Sequence, residues 1–381
     1  MTRVTEFLQE IMRIESRSGA EGTLAARVVQ EMTTLGFDAA WLDAKGNAFG
    51  LVKGLEAGGG VLLLTHLDHI NVGDLSLWAH PPFSGTLTAD GVVHGRGAVD
   101  IKGPLAAQVF TLGEMLSRGE RPRRDVVIAM PVLEEIGGEG MAFAMQELPL
   151  ETPLGAFSIG ACVVGEPSSN RVMLGHRGVC RCTVSFHGRA HHASLGLKAD
   201  NPHFALGRFL QRLEAFQPAT HPILGASTLS PTVIHADTSS NNLTPNRIDL
   251  TLDWRTTTES GADVKRILET LLDGLPASFK SFDDWQGGES GIKHPGFVIE
   301  PAHPLVTALQ SVVARVIPGT LEPGIWRFAT DGRFSAAMGI PTIGFGPGDD
   351  QLAHTTRERI SLLEIAAHME ALEAFLVEFA P

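Results

Sequence analysis

Four branched apolar residues, Val61-Leu62-Leu63-Leu64, follow a run of glycines and lead through Thr65 into His66-Leu67-Asp68. A run this short and this apolar predicts a strand buried on both faces, which is the habit of parallel sheets covered by helices. Side chains two apart on a strand share a side, so His66 and Asp68 are expected to emerge together at the strand's carboxyl end. Open α/β sheets place their sites at that end. A core histidine beside a loop aspartate is the competing reading of this motif taken alone.

The same design recurs. Asp125–Pro131 is a second short buried strand and ends on Glu134-Glu135, with glycines after it; Ala161–Gly165 is a third and ends on Glu166-Pro167. Between them Gly95-Arg96-Gly97 leads to Asp100, and Pro104 opens a helix to about Arg118 at the position where a missing N–H costs least. Asp100 alone reads equally well as a helix cap. Adjacent acids at the end of a buried strand repel and are costly to desolvate unless a cation or a proton offsets them. One such strand end has an ordinary explanation in a solvated loop, but the explanation must hold at every one of them.

Two helices are expected first, Thr2–Ser16 and Glu21–Leu35, then short strands at Phe37–Trp41 and Ala48–Val52. After Arg171 the texture changes to strand Val179–His187, helix Asn201–Phe216, strands Ser227–Ala236 and Ile248–Arg255, helix Ala262–Leu272 and a last strand Phe279–Trp285. That βαββαβ order is ferredoxin-like. The first texture resumes at about Pro295, with a helix at Pro304–Val316, a strand around Ile325, a short helix after Asp331, a strand at Pro341–Phe345 and a final helix from Ser361 to Phe379. The fold class is therefore α/β: a catalytic domain of residues 1–174 and 290–381, with a mixed sheet flanked by helices, and an inserted α+β domain of residues 175–289.

The chain has 381 residues, more than one core usually holds, and a formal charge of -13. Nothing basic is clustered to meet nucleic acid or an anionic membrane, so a small molecule is the expected partner. No apolar run approaches a membrane span and the amino terminus lacks a signal-peptide core, which together with three cysteines predicts a cytoplasmic protein. Cys180 and Cys182 share a strand face and are expected in a core. His69 is expected on a surface loop. With no tyrosine in the chain, acid and base chemistry falls to carboxylates and histidines.

His66-Leu67-Asp68, Gly95-Arg96-Gly97 through Asp100-Ile101-Lys102-Gly103, Glu134-Glu135, Gly165-Glu166-Pro167-Ser168, and Gly346-Pro347-Gly348 followed by His354 resemble the motifs of the M20 metallohydrolases. That family includes acetylornithine deacetylase, succinyl-diaminopimelate desuccinylase, aminoacylase and the glutamate carboxypeptidases. The resemblance covers nearly the whole chain. It implies a hydrolase-like catalytic domain, two divalent metals (zinc, with cobalt or manganese able to serve), and Asp100 bridging them. His66 and Glu166 would complete one ligand set and Glu135 and His354 the other. Asp68 would hold the His66 ring, and Glu134 would be the general base that activates water at the metals. A carboxylate there can take a proton from the attacking water and deliver it to the leaving amine.

In the inserted domain, which the resemblance makes a lid and dimerisation element, His192 would reach the site of the partner in a homodimer. Asn242, Arg255, Gly346 and Arg333 would contact substrate, Arg333 holding a carboxylate with its guanidinium fork. Leu133 stands where the family often has an aspartate. The implied activity is hydrolysis of the amide bond of an N-acyl amino acid, with an N-acetyl group the leaning because His176-Arg177-Gly178 is similar to segments of the deacetylases. A dipeptidase or carboxypeptidase of the same fold is the alternative. A non-catalytic binding protein would be expected to have lost Glu134 or a ligand, and neither is lost.

Overall fold

A computed structural model describes residues 2–257, 259–281, 294–319 and 322–381. The chain divides into two compact units, one of Met1–Gly175, Val298–Trp326 and Thr330–Pro381, the other of His176–Phe297 and Arg327–Ala329.

The first unit is built on a sheet whose strands run in the order Ala39–Leu42, Ala48–Val52, Val126–Met130, Gly60–Leu64, Ile159–Val164, Thr342–Gly344, Met173–His176. The four strands from Val126–Met130 to Thr342–Gly344 are mutually parallel, and those outside them pair antiparallel. Every residue of Gly60–Leu64 and Val126–Met130 is buried, as runs without a polar alternation require. The helix Gly103–Ser117 has Pro104 in its first turn and is buried from Gly103 to Gly113, which places it inside the unit, where it packs on Thr2–Met12 and Leu362–Glu378. Ser361 caps that last helix by accepting from Leu363 N–H.

The second unit has four strands in the order Thr228–Ala236, Arg247–Thr256, Gly178–His187, Ala277–Ser281, all antiparallel, with helices Pro202–Ala215 and Gly261–Leu272. That is the ferredoxin-like arrangement. Strict alternation along Gly178–His187 and Arg247–Thr256 puts Cys180, Cys182, Val184, Phe186, Ile248, Leu250, Leu252 and Trp254 on one face, in one core with Phe209 and Leu268. The helices begin where their caps dictate: Asn201 accepts from His203 N–H ahead of Pro202, and Ser260 forms a capping box with Asp263. Trp285 of the expected last strand, and the expected boundary at residues 289–290, lie outside the described residues.

Several short elements had no pattern to announce them. Val92–His94 pairs with both Thr86–Leu87 and Arg359–Ser361, and Leu150–Thr152 forms a hairpin with Gly155–Phe157. Strands of two or three residues fall below the length at which alternation is visible. The opening strand also ends sooner than expected, at Leu64, so His66 and Asp68 sit in the loop beyond it. Among the described residues no helix is long and apolar enough to cross a membrane.

Candidate metal centre

The carboxyl ends of three neighbouring parallel strands meet at one place. Gly60–Leu64 leads to His66, Val126–Met130 to Glu135 and Ile159–Val164 to Glu166; Asp100 arrives on a turn of one irregular helical coil, Ala98–Lys102, and His354 from the loop after Thr342–Gly344. Two ligand groups result, His66 with Asp100 and Glu166, and Asp100 with Glu135 and His354, the ligand atoms of each within 4.8 Å of one another. His66 Nε2 lies 3.1 Å from Asp100 Oδ1 and 3.4 Å from Glu166 Oε1. His354 Nε2 lies 3.1 Å from Asp100 Oδ2 and from Glu135 Oε1. Asp100 thus offers one oxygen to each group.

Asp68 joins two strand ends. Its Oδ1 lies 3.3 Å from His66 Nδ1 and accepts the Glu134 N–H at 3.1 Å, while its Oδ2 accepts the Glu135 N–H at 3.1 Å and the Ser18 hydroxyl at 2.7 Å. One carboxylate therefore orients the His66 ring and pins the backbone of both glutamates. The turn that carries them begins at Leu133, whose φ of 62° lies in the left-handed region that costs a side-chain-bearing residue about 1–2 kcal/mol. Backbone strain of this kind gathers at functional sites, and His354 shares it with a φ of 63°.

The electrostatics call for cations. Burial pushes Glu134 well above the carboxylate range, with repulsion from Asp331, Glu166 and Glu135 added and His66 opposing. Burial likewise raises Glu135, and pushes Glu166 up to about 7 against the pull of His66. For Asp100 burial is outweighed by hydrogen bonds to His354 and His66, which hold it low. Hydrogen bonds to Asp100 and Glu135 lift His354 to about 10, and the surrounding carboxylates raise His66 despite its burial. So many acids gathered around two imidazoles fit a pair of divalent ions, and mixed carboxylate and imidazole donors suit zinc, cobalt or manganese.

The remaining expected residues fall in different places. His192 is exposed in the second unit, its Nδ1 2.7 Å from the Ser194 hydroxyl, and Asn242 lies beside it, its backbone oxygen accepting the Ala193 N–H. Arg255 pairs with Asp253 at 2.7 Å. Gly346 packs beneath the Glu166 turn: a Cβ there would stand 2.3 Å from Glu166 O, and its N–H donates to the Ser168 hydroxyl. Arg333 is not presented to a ligand. It is 2% exposed, its Nη1 and Nη2 donate to Thr330 O and Gly137 O, and Asp331 lies 3.1 Å away, so its fork braces the turn that carries Glu134.

His69 is not on the surface. It is 1% exposed, with Nε2 accepting the Ser16 N–H at 3.0 Å and Nδ1 therefore donating to Ile70 O at 2.7 Å. Burial pushes it down to about 4, so it is neutral. Its neighbours come from the amino-terminal segment 53 residues away, a contact no local pattern reports. The sequence reading also passed over Glu358 and Asp331, both buried acids close to the centre. For Glu358 the one sequence cue was its place four residues after His354.

The chain is similar over nearly its full length to solved peptidases. Aminopeptidase PepT from Bacillus cereus superposes with a TM-score of 0.78 at 16% identity, covering 99% of this chain and 98% of that one. An M20 family metallo-carboxypeptidase, Sso-CP2 from Sulfolobus solfataricus, gives 0.75 at 18% identity and 99% coverage of both. A dinuclear metal binding peptidase of the M20 family from Bacillus subtilis gives 0.72 at 14% identity, covering 99% of this chain and 97% of that one. These identities speak to the fold alone. The sequence itself matches the model of peptidase family M20/M25/M40 over residues 62–378. That span contains every residue of both candidate groups and both glutamates of the Glu134 turn, and the chain accordingly belongs to peptidase family M20/M25/M40, as a metal-dependent hydrolase.

Proposed function

We propose that this chain hydrolyses the amide bond of a short peptide, with two divalent metals at the groups that share Asp100 and with Glu134 as the general base. The observation that carries the reading is the doubled ligand set beside a second, non-ligating glutamate whose backbone Asp68 holds in place. Ions bound there supply Lewis acidity that polarises the amide carbonyl and acidifies water. Glu134 takes the proton of the attacking water and returns it to the departing amine; its burial favours the protonated form that must exist between those two acts. Asp68 and Arg333 keep Glu134 in reach by fixing its turn at both ends.

An N-acyl amino acid, with an acetyl group, is the second reading. Its support lay partly in Arg333 as a carboxylate holder, and that side chain is engaged inside the protein. The similar structures named for an aminopeptidase, a tripeptidase and a dipeptidase tip the balance toward peptides. The chain acts as a homodimer in this reading. The edge strand Thr228–Ala236 exposes Val233 and Ile234, each at 58%, which a second copy would cover, and the exposed His192 is free to serve the partner's site as an oxyanion donor.

Release of free amine from a panel of dipeptides, tripeptides and N-acetyl amino acids, by zinc-loaded protein with a chelator-treated control, tests this. Chelator-sensitive cleavage of peptides is expected. Cleavage confined to the N-acetyl compounds would move the assignment to the second reading, and silence across the panel with two zinc ions bound would overturn both.

A further inference from the structure

Glu358 supplies no atom to either ligand group, yet it is 1% exposed and both its oxygens are engaged. Oε1 accepts the backbone N–H groups of Val99 at 3.0 Å and Asp100 at 3.1 Å. Oε2 accepts from Arg96 Nη1 at 2.6 Å. Arg96 is itself 2% exposed, lies over the Trp78 ring and reaches Asn71 O with Nη2. The backbone around Glu358 continues the attachment: its carbonyl accepts the Gly95 N–H, and Arg359–Ser361 pairs antiparallel with Val92–His94. Four residues before Glu358 stands His354, so one short segment carries a ligand and also grips the turn that carries the shared ligand.

From this geometry we infer that Glu358, held by Arg96, is a positioning residue that sets Asp100 between the two ligand groups. The inference rests on the reading of those groups as metal sites. Two backbone donors aimed at one buried carboxylate fix the orientation of the Asp100 peptide, and a buried N–H left without its acceptor would seek another arrangement. Because Asp100 gives one oxygen to each group, a rotation there is felt at both. Residues that orient ligands in this way typically tune metal affinity by about 10–100-fold. Glu358 is not a ligand in waiting, since each of its oxygens is already turned to a backbone or charged donor.

The test is zinc titration by calorimetry on the chelator-treated full chain, for wild type, Glu358→Gln and Arg96→Gln. The amide oxygen of Glu358→Gln can accept from the two N–H groups or from Arg96 but not from both, and in either orientation its NH2 meets a donor. Expected are two zinc ions per wild-type chain, affinity lowered about 10–100-fold at both groups in Glu358→Gln, and peptidase activity that recovers toward wild type as zinc is raised. Arg96→Gln should shift in the same direction by a smaller factor, and it carries the test if Glu358→Gln does not fold. A folded variant with a lowered melting temperature and unchanged zinc affinity would overturn the inference and leave the metal reading intact. Wild-type chain that takes up no zinc would overturn the metal reading, and this inference with it.

Discussion

The two ligand groups share Asp100 and differ in almost everything else. His66 and Glu166 are buried and follow directly from buried parallel strands, one on each side of the sheet's central pairing. The Glu135 side chain is as covered as theirs, at 7% exposure, but it sits five residues past its strand, and the His354 side chain is 49% exposed on a loop with left-handed backbone. A ligand at the end of a buried strand inherits the rigidity of the ladder behind it. A ligand on a loop is only as fixed as the partners that brace it, here Asp68 for Glu135 and the Glu358 segment for His354. With metals bound as proposed, the buried group is expected to be the tighter site and the other to exchange its ion first.

The largest effect is expected at the ligand the groups share. Asp100→Ala should abolish binding of both zinc ions, read by metal content, and activity with them; retention of one tightly held ion would mean that Asp100 serves a single group. Glu134→Gln should lower turnover about 10²–10⁴-fold with both ions retained, and near-normal turnover would remove Glu134 from the base role. His354→Ala is expected to leave one tight zinc per chain, whereas His66→Ala should weaken the tight site; the reverse outcome would break the comparison. The smallest effect concerns acid. His368, beneath the Glu166 turn through Asn170 and stacked on Phe345, is pushed down to about 3 by burial. The unfolded chain binds a proton there below about pH 6.5 and the native one does not, so stability falls as pH drops from that value. Between pH 6.5 and 4 the loss from this residue is of order 3 kcal/mol, and a flatter stability profile in His368→Gln, from urea unfolding at both pH values, would check it.

What could be read from the sequence was whatever a single strand or helix carries on its own. The buried strands, the acids that follow them and the alternating faces of the ferredoxin-like unit are local patterns, and the fold class and the family followed from them. The braces were not local. His69 looked like a loop residue because its partner, Ser16, lies across the unit, and Arg333 looked like a free fork because nothing near it in sequence shows Gly137 O and Asp331 waiting for it. The left-handed residues Leu133 and His354 carry no glycine to signal them. The strands Val92–His94 and Arg359–Ser361 were too short to be seen, so the grip of Glu358 on Asp100 went unseen with them.

That grip spans most of the gene's reading time. Val99 and Glu358 are 259 residues apart, and at usual synthesis rates of about 5–20 residues per second the amides of the Asp100 turn wait on the order of ten to fifty seconds for the carboxylate that receives them. His66, Glu135 and Glu166 emerge early, yet the centre cannot close until the inserted unit has been made and the chain has returned to the first one. Until then the residue that both groups share lacks the carboxylate that receives its turn, so neither group is complete before the chain has returned.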